Sequence, residues 1–264
     1  MNLGLAGPAP EHEPIVHDSW HALRETREEA KANKERLVFH CAEDATGTPL
    51  TIERLVALAQ EQPWFRKGGK GTLLNDTSWY NDEPFYKQET APTGWRLVSA
   101  EPLEASFNQN YAEQTFTLYE QLKARSLVDP TTLTSYEAEL NAWLADHALG
   151  TLASVDSAAL KTYLSADATW KQAADELAGL MINQRHRTRT VQDLAEGILL
   201  LAGEPERRLY DGTWKYNWNV TRASGGSLVY VGSFGAGGAD VSRYGPGYAY
   251  PFLGVRLSRT SPSS

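Results

Sequence analysis

Residues 227–259 read SLVYVGSFGAGGADVSRYGPGYAYPFLGVRLSR. Two apolar runs bracket the stretch, Leu228-Val229-Tyr230-Val231 and Phe252 through Leu257. Between them lie mostly Gly, Ala, Ser, Asp and Tyr. A segment of this make-up has little apolar surface of its own to bury, so rigid strands at each end must hold it. Loops held in this way commonly carry binding function. Eleven of the 21 glycines fall between Gly203 and Gly254. Strands are expected at 214–222, 227–234, 239–244 and 252–258, with Ser224-Gly225-Gly226 as a hairpin turn between the first two.

Upstream, residues 106–202 read as helical. Helices are expected at 110–126, 132–148, 155–164, 167–182 and 190–202, with Ser135, Asp167 and Thr190 as caps and Pro130 as a break. No heptad persists, so this is a small bundle or an insertion rather than a coiled coil. Residues 63–102 carry turn signals, Gly68-Gly69-Lys70-Gly71, Asn75-Asp76, Asn81-Asp82 and Pro92-Thr93-Gly94, with aromatic pairs between them. Arg36 to Cys41 reads as a buried strand. Thr51 caps a helix that Pro63 stops, with Ile52, Leu55, Val56 and Ala59 on one face. Residues 1–14 look frayed, and a charged helix follows from Asp18 or Ser19 to near Lys34. The expected organisation is an N-terminal extension and helix (1–35), a first β-rich half (36–105), a helical insertion (106–203), a C-terminal β-rich region (204–259) and a tail (260–264).

The 264 residues suffice for one large domain or two small ones, and the net charge of −8 argues against a general phosphate-backbone binder. Cys41 is the single cysteine, which excludes an intramolecular disulfide and makes a reducing compartment the simplest home. The first 16 residues show neither a basic nor an apolar signal region. A cytoplasmic location is the default expectation, with a virion or cell surface reached by another route left open.

Several motifs invite chemistry. His17 and His21 lie four apart, a spacing that suits a shared metal, but no third ligand is near in sequence, so no metal is expected. Arg185-His186-Arg187-Thr188-Arg189 is basic but lacks interleaved aromatics, so a solvated loop is the expectation and nucleic acid is not. Gly235-Ala236-Gly237-Gly238 is followed by no Lys-Ser or Lys-Thr, so it is not a phosphate loop. No nucleophile elbow and no single Ser-His-Asp set stands out.

Val231-Gly232-Ser233-Phe234, the glycine-rich stretch, Arg243-Tyr244, Pro246 and the closing Leu253 to Arg259 together resemble the end of the formylglycine-generating-enzyme branch of the C-type lectin fold. More narrowly, they resemble the variable proteins of diversity-generating retroelements. In those proteins a reverse transcriptase rewrites adenines in codons that display side chains on this fold. Asparagine codons mutated at adenine yield chiefly Asn, Ser, Gly, Asp, Thr, Ala and Tyr. Residues from that set recur at Asn217, Asn219, Thr221, Ser233, Gly235, Ala236, Gly238, Ala239, Asp240, Ser242, Gly245, Gly247, Ala249 and Tyr250. Trp218, Val231, Phe234, Val241, Tyr244, Pro246, Leu253 and Val255 interleave as scaffold. The resemblance covers about 50 residues, is weak over 36–102 and is silent over 106–202.

The resemblance implies an α+β, C-type-lectin-like fold of short twisted strands with a large helical insertion. It implies a ligand-binding display protein, not an enzyme, whose 14 listed positions face a macromolecular target, most simply a protein. Tyr216, Tyr244, Tyr248 and Tyr250 are candidate anchors. Formylglycine-generating enzymes use two cysteines near this region, which a chain with only Cys41 cannot supply. Cys41 is therefore read as a small buried hydrophobe. No Glu-Pro-Asn or Gln-Pro-Asp occurs, so calcium-dependent sugar binding is not expected, and no cofactor is. Two alternatives stay open: an enzyme with an unrecognised site on the same fold, and a structural or assembly protein whose helices form an oligomer interface.

Overall fold

The computed structural model describes residues 17–61, 74–203, 215–235 and 238–260. The expectations for residues 1–16, the Gly68–Gly71 turn, the segment around Trp214, Ala236 and the tail beyond Thr260 lie outside these residues. In chain order the elements are α1 (His17–Ala32), β1 (Glu35–His40), α2 (Ile52–Glu61), α3 (Pro84–Gln88), β2 (Gly94–Ser99) and a short 3-10 turn. Next come α4 (Tyr111–Ala124), α5 (Pro130–Asp146), the two-residue strands β3 (Gly150–Thr151) and β4 (Ser154–Val155), α6 (Ser157–Ser165), α7 (Trp170–Gly179), α8 (Met181–His186) and α9 (Thr190–Gly203). The chain closes with β5 (Tyr216–Arg222), β6 (Leu228–Gly235), β7 (Gly238–Tyr244), β8 (Leu253–Gly254) and β9 (Ser258–Thr260). The fold is α+β, with small, largely antiparallel sheets.

Two sheets organise it. β2 pairs antiparallel with both β1 and β9, so the described ends of the chain meet in one sheet. The other sheet runs β7-β6-β5-β8, with β5 and β8 parallel. Side chains alternate across this second sheet. Trp218, Val220, Leu228 and Tyr230 face α4 to α8 and share one core with Tyr111, Leu118, Leu122, Leu140 and Leu177. Val229, Val231, Phe234 and Val241 face the other way, onto Ile52, Leu55, Val191, Leu194 and Ile198. The helical segment therefore buries its apolar faces against the sheet, not against itself alone.

Two helix boundaries differ from expectation for local reasons. Pro130, read as the break before a helix from 132, is itself in the first turn of α5, because Asp129 accepts from the Thr132 amide and Pro has no amide to leave unbonded at the first turn. The expected helix over 167–182 is two, α7 and α8, with Leu180 extended between them (φ −54°, ψ 136°). The amide and carbonyls freed there are met by side chains. Glu139 accepts from Met181 N, Asn183 donates to Leu177 O and Gln184 donates to Ala178 O.

The expectation for the basic run 185–189 is overturned. His186, Arg187 and Thr188 are buried. Arg187 lies 3.7 Å over the Tyr111 ring and donates to Tyr111 O, Trp218 O, Asn183 Oδ1, Gln114 Oε1 and Thr115 Oγ1. Its acceptors are uncharged, and burial lowers its pKa to about 10. Cys41 is only half-buried at the edge of the second core, so it does not fill the interior role expected of it. The strand read as buried also exposes Phe39. Among the described residues, no helix is long and apolar enough to cross a membrane.

Arg256 is fully buried and joins the layers. It donates to Asp193 Oδ1 at 2.8 Å and Glu196 Oε2 at 2.8 Å on α9, and to Ser99 O at 2.9 Å at the end of β2. Arg36 on β1 donates to Glu196 Oε1 at 2.7 Å. Removing one member of a buried charged set leaves the others uncompensated. Arg256→Leu is therefore expected to cost about 3–5 kcal/mol. Arg243→Ala breaks a part-exposed pair with Glu83 and is expected to cost roughly 1 kcal/mol or less. Urea unfolding of the two variants checks the contrast.

Burial lowers the pKa of His40 and His186 to about 4. His186 Nδ1 faces Ser258 O, so Nδ1 carries the proton and Nε2 accepts from Tyr136 OH. The unfolded imidazoles take up protons below pH 6.5 while the folded ones stay neutral, so stability falls as pH drops from about 6.5 to 4. Glu89 acts in the opposite sense, since burial raises its pKa to about 7 and the folded state binds its proton first. The two histidines outweigh it, so the net expectation is lower stability at pH 4.5 than at pH 6.5. Denaturant titrations at the two pH values check this.

Candidate functional site

On the face of the β7-β6-β5-β8 sheet that carries Trp218, Tyr216 on β5, Tyr230 on β6, and Asp240, Ser242 and Tyr244 on β7 share one side by cross-strand register. Tyr216 and Tyr230 are buried, and Tyr244 is exposed. The segment after β7 adds Tyr248, Tyr250 and Phe252 to the row. Tyr244 and Tyr248 stack at 3.9 Å and 13° between ring planes. Tyr230 lies parallel to Tyr244 at 6.0 Å, and Tyr250 parallel to Tyr248 at 6.3 Å. Tyr216 meets Tyr230 and Tyr250 edge-on, and Phe252 caps the row against Tyr250. Tyr244, Tyr250 and Phe252 are 45%, 37% and 48% exposed, three of the four large apolar side chains exposed among the described residues. An exposed aromatic cluster of this kind marks an interaction surface.

The backbone beneath the platform is fixed on every side. Gly232 admits no side chain, because a Cβ there would meet Lys215 O at 2.2 Å. A bulge follows it in β6, with Ser233 at φ 46°, and this turns Phe234 into the core beside Gly197. The return segment is tied to the start of α4 by Tyr111 N donating to Pro246 O and, nearby, Asn108 N donating to Tyr250 O. The outer edge of β7 is covered by residues 74–79. Asn75 N donates to Ala239 O, and Trp79 Nε1 donates to Val241 O. Arg243 stacks on Trp79 at 4.5 Å. A covered edge cannot recruit another strand.

Asp240 sits at the centre of the phenols. Tyr216 OH donates to Asp240 Oδ2 at 3.3 Å. Burial raises the Asp240 carboxyl pKa, the Tyr216 bond opposes the rise, and the Asp76 charge adds to it. Among the described residues no Lys or Arg pairs with Asp240. Burial also raises the pKa of Tyr216 and Tyr230, where hydrogen bonds from Ser233 and Ser242 oppose the rise and Asp240 and neighbouring phenols add to it; burial and the Tyr244 and Tyr250 phenols raise that of Tyr248. The Tyr216 oxygen and the Asp240 carboxylate lie together beside Gly232. A cleft of about 830 Å³ adjoins at Phe252, with Lys34, Glu101, Phe107, Arg125 and Lys215 on its walls.

The structure divides the 14 positions expected to face a target. Ser233, Asp240 and Ser242 are part-exposed on the platform, and Ala249 and Tyr250 are exposed beside it. Gly238 is part-exposed and takes φ 100° where β7 begins, and Gly235 pairs with it across the ladder. Asn217, Asn219 and Thr221 correct the expectation, because all three point to the opposite face and are buried. β5 is the strand buried on both faces. Asn217 and Asn219 donate to Asp193 Oδ2 at 2.7 and 2.8 Å, and Thr221 donates to Glu89. Ala239 is buried in the second core. Gly245 and Gly247 pack on the helical region, where a Cβ would lie 3.4 Å from Trp170 and 2.4 Å from Ser165 Oγ respectively. At Gly247 the missing side chain serves close approach, not display. Phe252 was missed as a surface residue because it sits in an apolar run that reads as core, whereas Tyr230, in the other such run, is buried as that reading expects.

A second polar cluster lies in the helical region. Glu176 Oε2 accepts from Trp143 Nε1 and Tyr163 OH and faces His147 Nε2 at 2.7 Å, while Gln172 bonds Oε1. The bonds saturate Glu176 and tie α5, α6 and α7 together. Among the described residues no three metal-ligating side chains converge. Comparison with known protein families, characterised proteins and solved structures finds no match.

The division between platform and inward residues is measurable. Ser242→Ala and Ala249→Ser are expected to change unfolding free energy by about 0.5 kcal/mol or less. Asn217→Ala and Asn219→Ala leave buried partners unsatisfied and are expected to cost roughly 1–3 kcal/mol each. Thermal unfolding of the four variants checks this.

Proposed function

We propose that this chain is a ligand-binding display protein with a C-type-lectin-like fold, acting by recognition and not by catalysis. More particularly, we propose a variable protein of a diversity-generating retroelement, whose target is a protein. The observation that carries the reading is the packed row of tyrosines, exposed at Tyr244 and Tyr250, with Ser233, Asp240 and Ser242 part-exposed beside it on a rigidly backed sheet. Tyrosine gives large contact area for little lost side-chain freedom, and small polar residues beside it adapt the hydrogen bonding. Two further features support the lectin-like fold. The first and last strands share a sheet, and the candidate surface is presented by a separate sheet from the second half of the chain. The residue types at Ser233, Asp240, Ser242, Ala249 and Tyr250 fit the adenine-mutagenesis set.

The reading predicts a near-copy of the codons for residues 214–259 beside a reverse-transcriptase gene. Amino-acid differences are expected to concentrate at Ser233, Asp240, Ser242, Ala249 and Tyr250. They are expected to be sparse at Asn217, Asn219, Thr221 and Ala239, where side chains are buried. Sequencing the flanking DNA and aligning the two copies makes the test. Absence of a near-copy would remove the diversified role. Differences concentrated at the inward positions would remove the platform as the binding face.

A further inference from the structure

We infer that the tyrosine platform takes a basic side chain of its target protein, an arginine in preference to a lysine, seated against Asp240. The inference rests on the display reading and names the chemistry of the occupant. Asp240 is part-buried, accepts one phenol hydrogen bond and has no cationic partner among the described residues. Asp76, whose segment lies along the edge of β7, adds a second negative charge within electrostatic reach. A part-buried carboxylate without a counter-charge is stabilised by any cation that reaches it. The phenol oxygens around it accept hydrogen bonds as well as donate them. The exposed ring of Tyr250, 6.4 Å from the ring of Tyr216 whose hydroxyl bonds Asp240, offers a surface on which a guanidinium stacks, and stacking with planar bonding to a carboxylate distinguishes arginine from the rounder ammonium of lysine. The chain carries a net charge of −8, so long-range attraction also favours a basic partner over an acidic one. Within the fold, Arg243, over Trp79 and paired with Glu83, shows the same pairing satisfied internally; at Asp240 the aromatic rings and the carboxylate are present and the cation is not supplied by the described residues.

The test uses the full chain and three probes, the N-acetyl methylamides of arginine, lysine and norleucine, followed by NMR of the tyrosine ring signals. Saturable shifts at Tyr216 and Tyr250 are expected with arginine, weaker ones with lysine and none with norleucine. Asp240→Asn keeps the acceptor for Tyr216 and should weaken the arginine response about fivefold, as should added salt. Equal shifts from norleucine, no saturable shift from any probe, or an unchanged response in Asp240→Asn would each overturn the inference. Panning a random-peptide display library on the same protein separates this from the wider reading. Binders that depend on Tyr244 but carry no excess of Arg or Lys would keep the display function and sink the basic occupant. An absence of binders that depend on Tyr244 would sink the display function itself.

Discussion

Arg256 meets Asp193 and Glu196 where both sheets and α9 come together, with no part of its side chain open to water. Its backbone amide donates to Asn217 Oδ1, and Asn217 and Asn219 in turn bond Asp193. Arg36 closes the set from β1 through Glu196. Two cations and two carboxylates thus balance in a space with little solvent, where each is tolerable only because the others are present. The geometry also specifies register. A one-residue slip of β5 would turn Asn217 and Asn219 toward the apolar layer of Trp218 and Val220 and leave Asp193 without its amide donors.

The platform depends on that arrangement. β5 is locked by polar bonds on one face and by Trp218 and Val220 in apolar packing on the other, so its neighbour β6 has little freedom. Gly232, the bulge at Ser233 and Phe234 packed on Gly197 then determine where the strand bends. Tyr216 and Tyr230 are anchored in the core that the helices share, and Tyr244 and Tyr250 carry the aromatic row from them to the surface. A recognition surface gains from such rigidity, since rings already held in place lose little freedom on binding.

Much of the element order was legible. The hairpin at Ser224-Gly225-Gly226, β5 to β7 and most helices were readable from glycine turns and from period-two and helical alternation. The one strand expected over 252–258 is instead β8 and, after a gap, β9, and α5 and α7 have their N-caps at Asp129 and Thr169, not at Ser135 and Asp167. Asn110 and Glu113 form a capping box at the start of α4 that a local reading recovers. The exceptions have local or tertiary causes. The break at Leu180 depends on Glu139, which lies more than forty residues earlier in the chain. The basic run 185–189 looked solvated because charge normally seeks water, yet Arg187 is held by five neutral acceptors and an aromatic ring that converge on it only in the fold.

The polar positions of the C-terminal half show the same limit. Period two states that Asn217 and Trp218 face opposite ways, but not that both faces of β5 are covered. By itself the sequence determined the alternation of side chains, the turns that glycine allows, the single cysteine and the acidic balance, all of which follow from residue type and spacing. Only the tertiary structure decided that Asn217, Asn219 and Thr221 turn inward to buried carboxylates while Phe252 borders water. Burial depends on what packs against a strand, and those partners come from helices and loops far away in the chain.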